Sequence, residues 1–170
     1  VMDAPVPVRY LAVEPGEEEA ECISLNLPGA EAETFAMALG REDSRATFFY
    51  APDSTGGRSA LSPWPDETIV EKYDVTVTTL DSLVDGALAE GERIRVLKLE
   101  AEGAEFDVLT GARRALDRCD YIAIDMGRKY SIEEVIPAPR LIPMLLDAGF
   151  AIEAVGAPCS LRFLFRNTRA

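Results

Sequence analysis

The chain has 170 residues, with 17 Lys and Arg against 30 Asp and Glu, a formal net charge of −13, and no histidine. So acidic a surface repels phosphate backbones, which argues against nucleic acids and anionic membranes as partners. The lack of histidine excludes a Ser-His-Asp triad, a Cys-His pair and His-ligated metal within this chain, leaving carboxylates, Lys, Tyr, Cys or the substrate for acid–base work.

In chain order, Val8 to Val13 reads as a strand that runs into the turn Glu14-Pro15-Gly16. Glu17 to Leu27 reads as a helix, because an acidic first turn suits the positive end of the helix dipole and Pro28-Gly29 stops it. Thr34 to Leu39 is a second strand with Gly40-Arg41-Glu42-Asp43 as its turn, and Ala46 to Tyr50 a third. Pro52 to Pro65 holds Gly56-Gly57, Ser54, Ser59, Ser62 and Trp64 and is predicted to be a loop, of a length that is usually functional or disordered. Val75 to Leu80 is β-branched and alternating, a strand, and Asp81 is expected to cap a helix that runs to about Ala89 and ends by Gly91. Ile94 to Leu99 reads as a buried central strand. Ala104 to Arg118 reads as one amphipathic helix, with Phe106, Leu109, Ala112 or Arg113, and Leu116 on one face. Gly111 inside it costs ~1 kcal/mol against alanine, for which close packing on the sheet offers a reason. Tyr121 to Ile124 is a further strand, ending at Asp125. A loop or broken helix follows from Ile132, then a helix from about Pro139 to Ala148. Ala151 to Val155 and Leu161 to Phe165 form an antiparallel pair around Gly156-Ala157-Pro158. Such alternation predicts an α/β fold with a mostly parallel sheet and helices on both faces.

The length suits one domain with a sizeable core. No apolar run approaches the ~20 residues that span a bilayer, and no signal peptide is read. Cys22, Cys119 and Cys159 are far apart, without a CxxC. This fits buried thiols in a reducing, cytoplasmic setting better than a disulfide frame or a zinc site.

The most informative stretch is Leu97-Lys98-Leu99-Glu100-Ala101-Glu102-Gly103-Ala104-Glu105. An apolar strand ends in clustered carboxylates and a helix then begins, and open α/β sheets bind ligands at the carboxyl ends of their strands. Read alone, Glu100 and Glu102 are an acid cluster at a helix start, Glu105 is a helix-capping acid, and Lys98 pairs with a neighbouring acid. Hard cations also take carboxylate oxygens, but no metal is expected here.

Taken in order, Glu14-Pro15-Gly16, Ala38-Leu39-Gly40, Gly56-Gly57-x-Ser59, Thr79-Leu80-Asp81-Ser82-Leu83, the Lys98-to-Glu105 stretch and Leu109-Thr110-Gly111-Ala112 resemble the FkbM-type methyltransferases over roughly Arg9 to Ala148. The resemblance implies a Rossmann-like class I methyltransferase sheet, mostly parallel with an antiparallel C-terminal strand. It also implies S-adenosylmethionine as cofactor and O-methylation of a small molecule or sugar. Glu14 would accept hydrogen bonds from the ribose hydroxyls, with Pro15 beside it in the turn, and Met37, Ala38 and Leu39 would lie along the adenine. Glu100 would stand near the methionine end of the cofactor, where ammonium and sulfonium favour negative charge. Asp125 is the candidate base, with Glu100 beside it in the catalytic set. Glu102, Ser59 and Trp64 are candidate substrate contacts. Against these stand blander roles: a solvated turn acid for Glu14, a cap for Asp125, a surface loop for Ser59 and Trp64.

The chain departs from the family pattern at its front. It has no GxG, and Glu14 arrives too early for a preceding βα unit, which takes ~30 residues in a βαβ motif. The resemblance thus implies a single methyltransferase-like domain over residues 1–170 that lacks the first strand and Gly-rich loop, and the start at Val1 fits an N-terminally incomplete chain. Family members often follow the acid of the fifth strand with histidine, whereas this chain reads Asp125-Met126-Gly127. Two rivals remain: a catalytically silent domain serving interaction or scaffolding, and a nucleotide-sugar or dinucleotide binder of the same fold. The segment Ala151 to Ala170 leaves a homo-oligomer open.

Overall fold

Strand β1 (Arg9–Val13) and helix α1 (Glu17–Asn26) open the chain, and α1 carries Glu17, Glu18 and Glu19 in its first turn. The computed structural model describes residues 8–26, 31–51, 58–60, 71–126, 138–156 and 161–170. Strand β2 (Glu31–Phe35) runs parallel to β1, with Val13 opposite Phe35. The single strand expected over Thr34 to Leu39 is two. The Met37 N–H donates to the Phe35 carbonyl at 3.0 Å, a closure over two residues that turns the backbone out of the ladder. The chain resumes as β3 (Ala38–Gly40) in a different sheet.

That second sheet has the order β3-β6-β4-β5, from β4 (Ser44–Ala51), β5 (Arg58–Ala60) and β6 (Glu71–Thr79). Ala38, Phe48, Val75 and Val77 make its small core. Strand β5 falls inside the expected loop Pro52 to Pro65. Helix α2 (Leu80–Ala87) begins directly after β6, so Leu80 is helical and the cap is Thr79, not Asp81: the Thr79 hydroxyl accepts the Ser82 N–H at 3.0 Å.

The third sheet has the order β7-β8-β10-β9, from β7 (Ile94–Leu99), β8 (Cys119–Asp125), β9 (Phe150–Gly156) and β10 (Arg162–Asn167). Strand β7 is therefore an edge among the described residues rather than central, and its Val96 is 54% exposed. The terminal antiparallel pair is present, although Ala157 and Pro158 lie outside the described residues. The expected helix Ala104 to Arg118 is split into α3 (Glu105–Thr110) and α4 (Arg113–Asp117). At the break, a Cβ on Gly111 would stand 2.2 Å from the Gly40 carbonyl oxygen. Glycine permits that approach and no other residue would. Helix α5 (Ala138–Asp147) covers the predicted span.

The main core gathers Leu109, Leu116, Ile122, Leu141, Leu145 and Phe165, all fully or almost fully buried. Val13, Phe35, Met37 and Leu39 pack against it, so β1 and β2 share this core although no ladder joins β1 to β7 among the described residues. The sheets are mixed rather than mostly parallel: β1 with β2, β3 with β6 and β7 with β8 are parallel, the other ladders antiparallel. Cys119 is buried, but Cys22 is exposed, against the expectation of buried thiols. Cys159 lies outside the described residues. No described helix is long and apolar enough to cross a membrane.

Candidate functional site

Glu14 stands one residue beyond the last β1–β2 pair, Val13 with Phe35. Its N–H donates to the Phe35 carbonyl at 3.1 Å, which continues the strand edge into the turn. Its Oε1 accepts the Gly16 N–H at 3.0 Å, and its Oε2 has no partner among the described residues. Burial pushes the Glu14 carboxyl above its ordinary value, the Gly16 hydrogen bond opposes this, and the nearby Glu19 charge adds to it. A carboxylate offers two acceptor oxygens and no donor. Pro15 continues the turn, and the Tyr73 hydroxyl borders it, 3.4 Å from where a Cβ on Gly16 would lie.

Met37 and Leu39 are half-buried against the main core, and Ala38 is buried in the smaller one. Strand β3, which holds Ala38 and Leu39, meets α3 and its C-terminal cap at its own far end. Gly111 abuts Gly40, and the Arg41 guanidinium donates to Asp107. The residues expected along an adenine are thus braced on the helix that begins just after Glu100.

Glu100 and Asp125 are brought to the same level by the parallel ladder, since Leu99 pairs with Ile124 and each acid is the next residue. Lys98 donates to Glu100 at 2.7 Å, the ion pair expected from sequence. Asp125 is buried, and the Arg162 guanidinium comes within 3.9 Å of it from β10. Glu102 is exposed on the turn after β7, with φ 46°, followed by Gly103 at φ 108°. Glu105, expected as a helix-capping acid, is buried at the first position of α3. Its oxygens accept the N–H groups of Ala101 and Gly103, in the loop ahead, each at 3.0 Å. Ser59 lies in β5 opposite Tyr50, in the second sheet. Trp64 and Gly127 lie outside the described residues. Among the described residues no group of three His, Cys, Asp or Glu is arranged to hold a metal ion.

Sequence reasoning missed Arg162 and Tyr73. The first was legible in principle, because an antiparallel hairpin that ends level with β8 places Arg162 against Asp125. The second depends on how the second sheet meets the Pro15 turn, which no local pattern encodes.

Acidic residues stand at the carboxyl ends of β1, β7 and β8 in this α/β domain, the end at which open α/β sheets hold their ligands. The sequence profile of the methyltransferase FkbM domain matches residues 8–152, and the chain belongs to that family. A crystal structure of methyltransferase FkbM from Methylobacillus flagellatus shares the fold, with a TM-score of 0.57 at 16% identity over 93% of this chain and 36% of that one. The chain thus spans about a third of that protein's length. No curated protein matches the sequence.

Proposed function

We propose that this domain is an S-adenosylmethionine-dependent methyltransferase of Rossmann-like fold, acting on a hydroxyl of a small molecule or sugar. The observation that carries the reading is Glu14, a half-buried carboxylate at a strand end whose Oε1 accepts the Gly16 N–H and whose Oε2 has no partner among the described residues. Its two acceptor oxygens and lack of a donor suit the paired hydroxyls of a ribose. Met37, Ala38 and Leu39 offer an apolar edge for the adenine, and Glu100 places negative charge at the end of β7 for the methionine portion. When bound, the cofactor supplies an electrophilic methyl carbon.

The chain then has two tasks: to align an acceptor oxygen and to take its proton. Asp125 is level with Glu100 and buried. We assign it the proton, with Arg162 steadying the carboxylate from the next strand. Glu102, exposed at the rim, is the substrate contact, with Ser59 and Trp64 as further candidates. Methyl transfer from labelled S-adenosylmethionine to a panel of hydroxylated small molecules tests this. Asp125→Asn is expected to lower kcat by about 10²- to 10⁴-fold with cofactor affinity retained. An active chain whose Asp125→Asn variant keeps full kcat would remove Asp125 from the role.

A second reading is a silent domain that serves interaction or scaffolding. The absence of GxG from the sequence favours it, as does the lack of a ladder between β1 and β7 among the described residues. A folded chain without affinity for S-adenosylhomocysteine would decide for it.

A further inference from the structure

The first residue of α3 carries a buried carboxylate to which the proposed methyl transfer gives no direct part. Glu105 is 1% exposed. One of its oxygens accepts the Ala101 N–H and the other the Gly103 N–H, both at 3.0 Å. Between these two donors the backbone takes a left-handed conformation at Glu102, φ 46°, and again at Gly103, φ 108°. That conformation is disfavoured for an L side chain such as Glu102, so the surroundings must impose it. Two N–H groups drawn to one buried carboxylate supply such a constraint.

We propose that Glu105 is a positioning residue: its carboxylate clamps the loop from Ala101 to Ala104 and thereby fixes where Glu100 leaves β7 beside Asp125. The Lys98 pair does not suffice for this. Lys98 is 75% exposed in its side chain, and an exposed ion pair holds little. A carboxylate is required at Glu105 because the two N–H groups reach different oxygens. The amide of glutamine has the same volume but one acceptor, and turns a donor toward the second N–H. The clamp stands on geometry alone, and its consequence for the cofactor rests on the methyltransferase reading above.

The test combines amide exchange by NMR with calorimetric titration of S-adenosylhomocysteine, on the 170-residue chain. In Glu105→Gln the Ala101 and Gly103 amides are expected to exchange at least about tenfold faster relative to Leu116, whose N–H is bonded to Ala112 at 2.8 Å. Affinity for S-adenosylhomocysteine is expected to fall about tenfold. Asp81→Ala is the control. It removes another buried carboxylate that holds backbone, in which one Asp81 oxygen accepts the Arg114 and Ala115 N–H groups at 2.9 and 2.8 Å, and should lower Tm while leaving the affinity unchanged. Unchanged exchange at Ala101 and Gly103 in Glu105→Gln overturns the clamp. Faster exchange with unchanged affinity, or an equal loss of affinity in Asp81→Ala, overturns the positioning of Glu100. Failure of the folded wild type to bind overturns the cofactor reading and the positioning role with it, and the exchange rates then judge the clamp alone. Should Glu105→Gln not fold, Glu105→Asp keeps both oxygens one methylene back. There the same two amides should speed up by a smaller factor, and no change at them would overturn the clamp.

Discussion

Glu14 occupies a position that folding alone does not favour. Its folded-state carboxyl is raised above the ordinary 4.5, so the native state holds this proton over a window where the unfolded chain has lost it. Stability contributed by this group is therefore present below 4.5 and declines as pH rises through the window. Glu14→Gln is accordingly expected to raise Tm at pH 7 and to leave it unchanged at pH 3, as thermal melts at the two values would show. A rise in Tm joined to weaker cofactor binding is the mark of a group kept for a ligand. Asp120 behaves oppositely. Arg93 and Arg95 donate to it at 2.8 and 3.1 Å and hold its carboxyl below the usual range. Its contribution is complete above the unfolded value, about 3.9, and is lost as pH falls through the folded one. Asp120→Asn should thus flatten the acid limb of the same melts. The two described cysteines also divide. Burial pushes the Cys119 thiol up to about 11, so iodoacetamide at pH 8 should label exposed Cys22 in the native chain and Cys119 only after unfolding, as peptide mass mapping would show. Glu14 and Asp125 were legible because each ends an apolar run. The exposure of Cys22 was not, because it follows from neighbours far away in sequence.

At the scale of elements, the expected single helix from Ala104 to Arg118 fails at Gly111 for a tertiary reason. The apolar periodicity is continuous across the break, so the sequence reads as one helix. The contact with Gly40 is what sets the two segments apart. Alanine at Gly111 would gain ~1 kcal/mol in a free helix. Here its Cβ would meet the Gly40 carbonyl oxygen at 2.2 Å and the Arg41 Cα at 3.2 Å, backbone that cannot step aside. Gly111→Ala is therefore expected to destabilise by about 1–3 kcal/mol, measured by urea unfolding. Unchanged or raised stability would show the approach to be looser than described. The second helix segment has Ala112 at its cap position, which offers no acceptor. Asp81 supplies it from α2, which is why an acid that looks like a local cap in sequence serves a helix 30 residues on. Asp81→Ala should cost about 1–3 kcal/mol in the same assay, since it leaves buried N–H groups unpaired.

For the whole molecule, most runs of strand and helix could be read from the chain, whereas the sheets they enter could not. Thr34 to Leu39 looks like one strand, yet the closure at Met37 sends its two halves to different sheets. Ile94 to Leu99 is apolar enough for a central strand, yet it pairs with β8 alone among the described residues. Pairing is a property of distant partners, and composition records only that a strand is apolar. What carried the functional reading was the order of strand-ending acids, which the fold holds in two groups, Glu14 beside β2 and Glu100 beside Asp125. The central claim is that the chain binds S-adenosylmethionine through Glu14. Calorimetric titration of the wild-type chain and of Glu14→Ala with S-adenosylhomocysteine tests it most directly. The account predicts saturable micromolar binding that weakens roughly 10- to 100-fold in the variant; no saturable heat from the folded wild type, or equal affinity in both proteins, would contradict it.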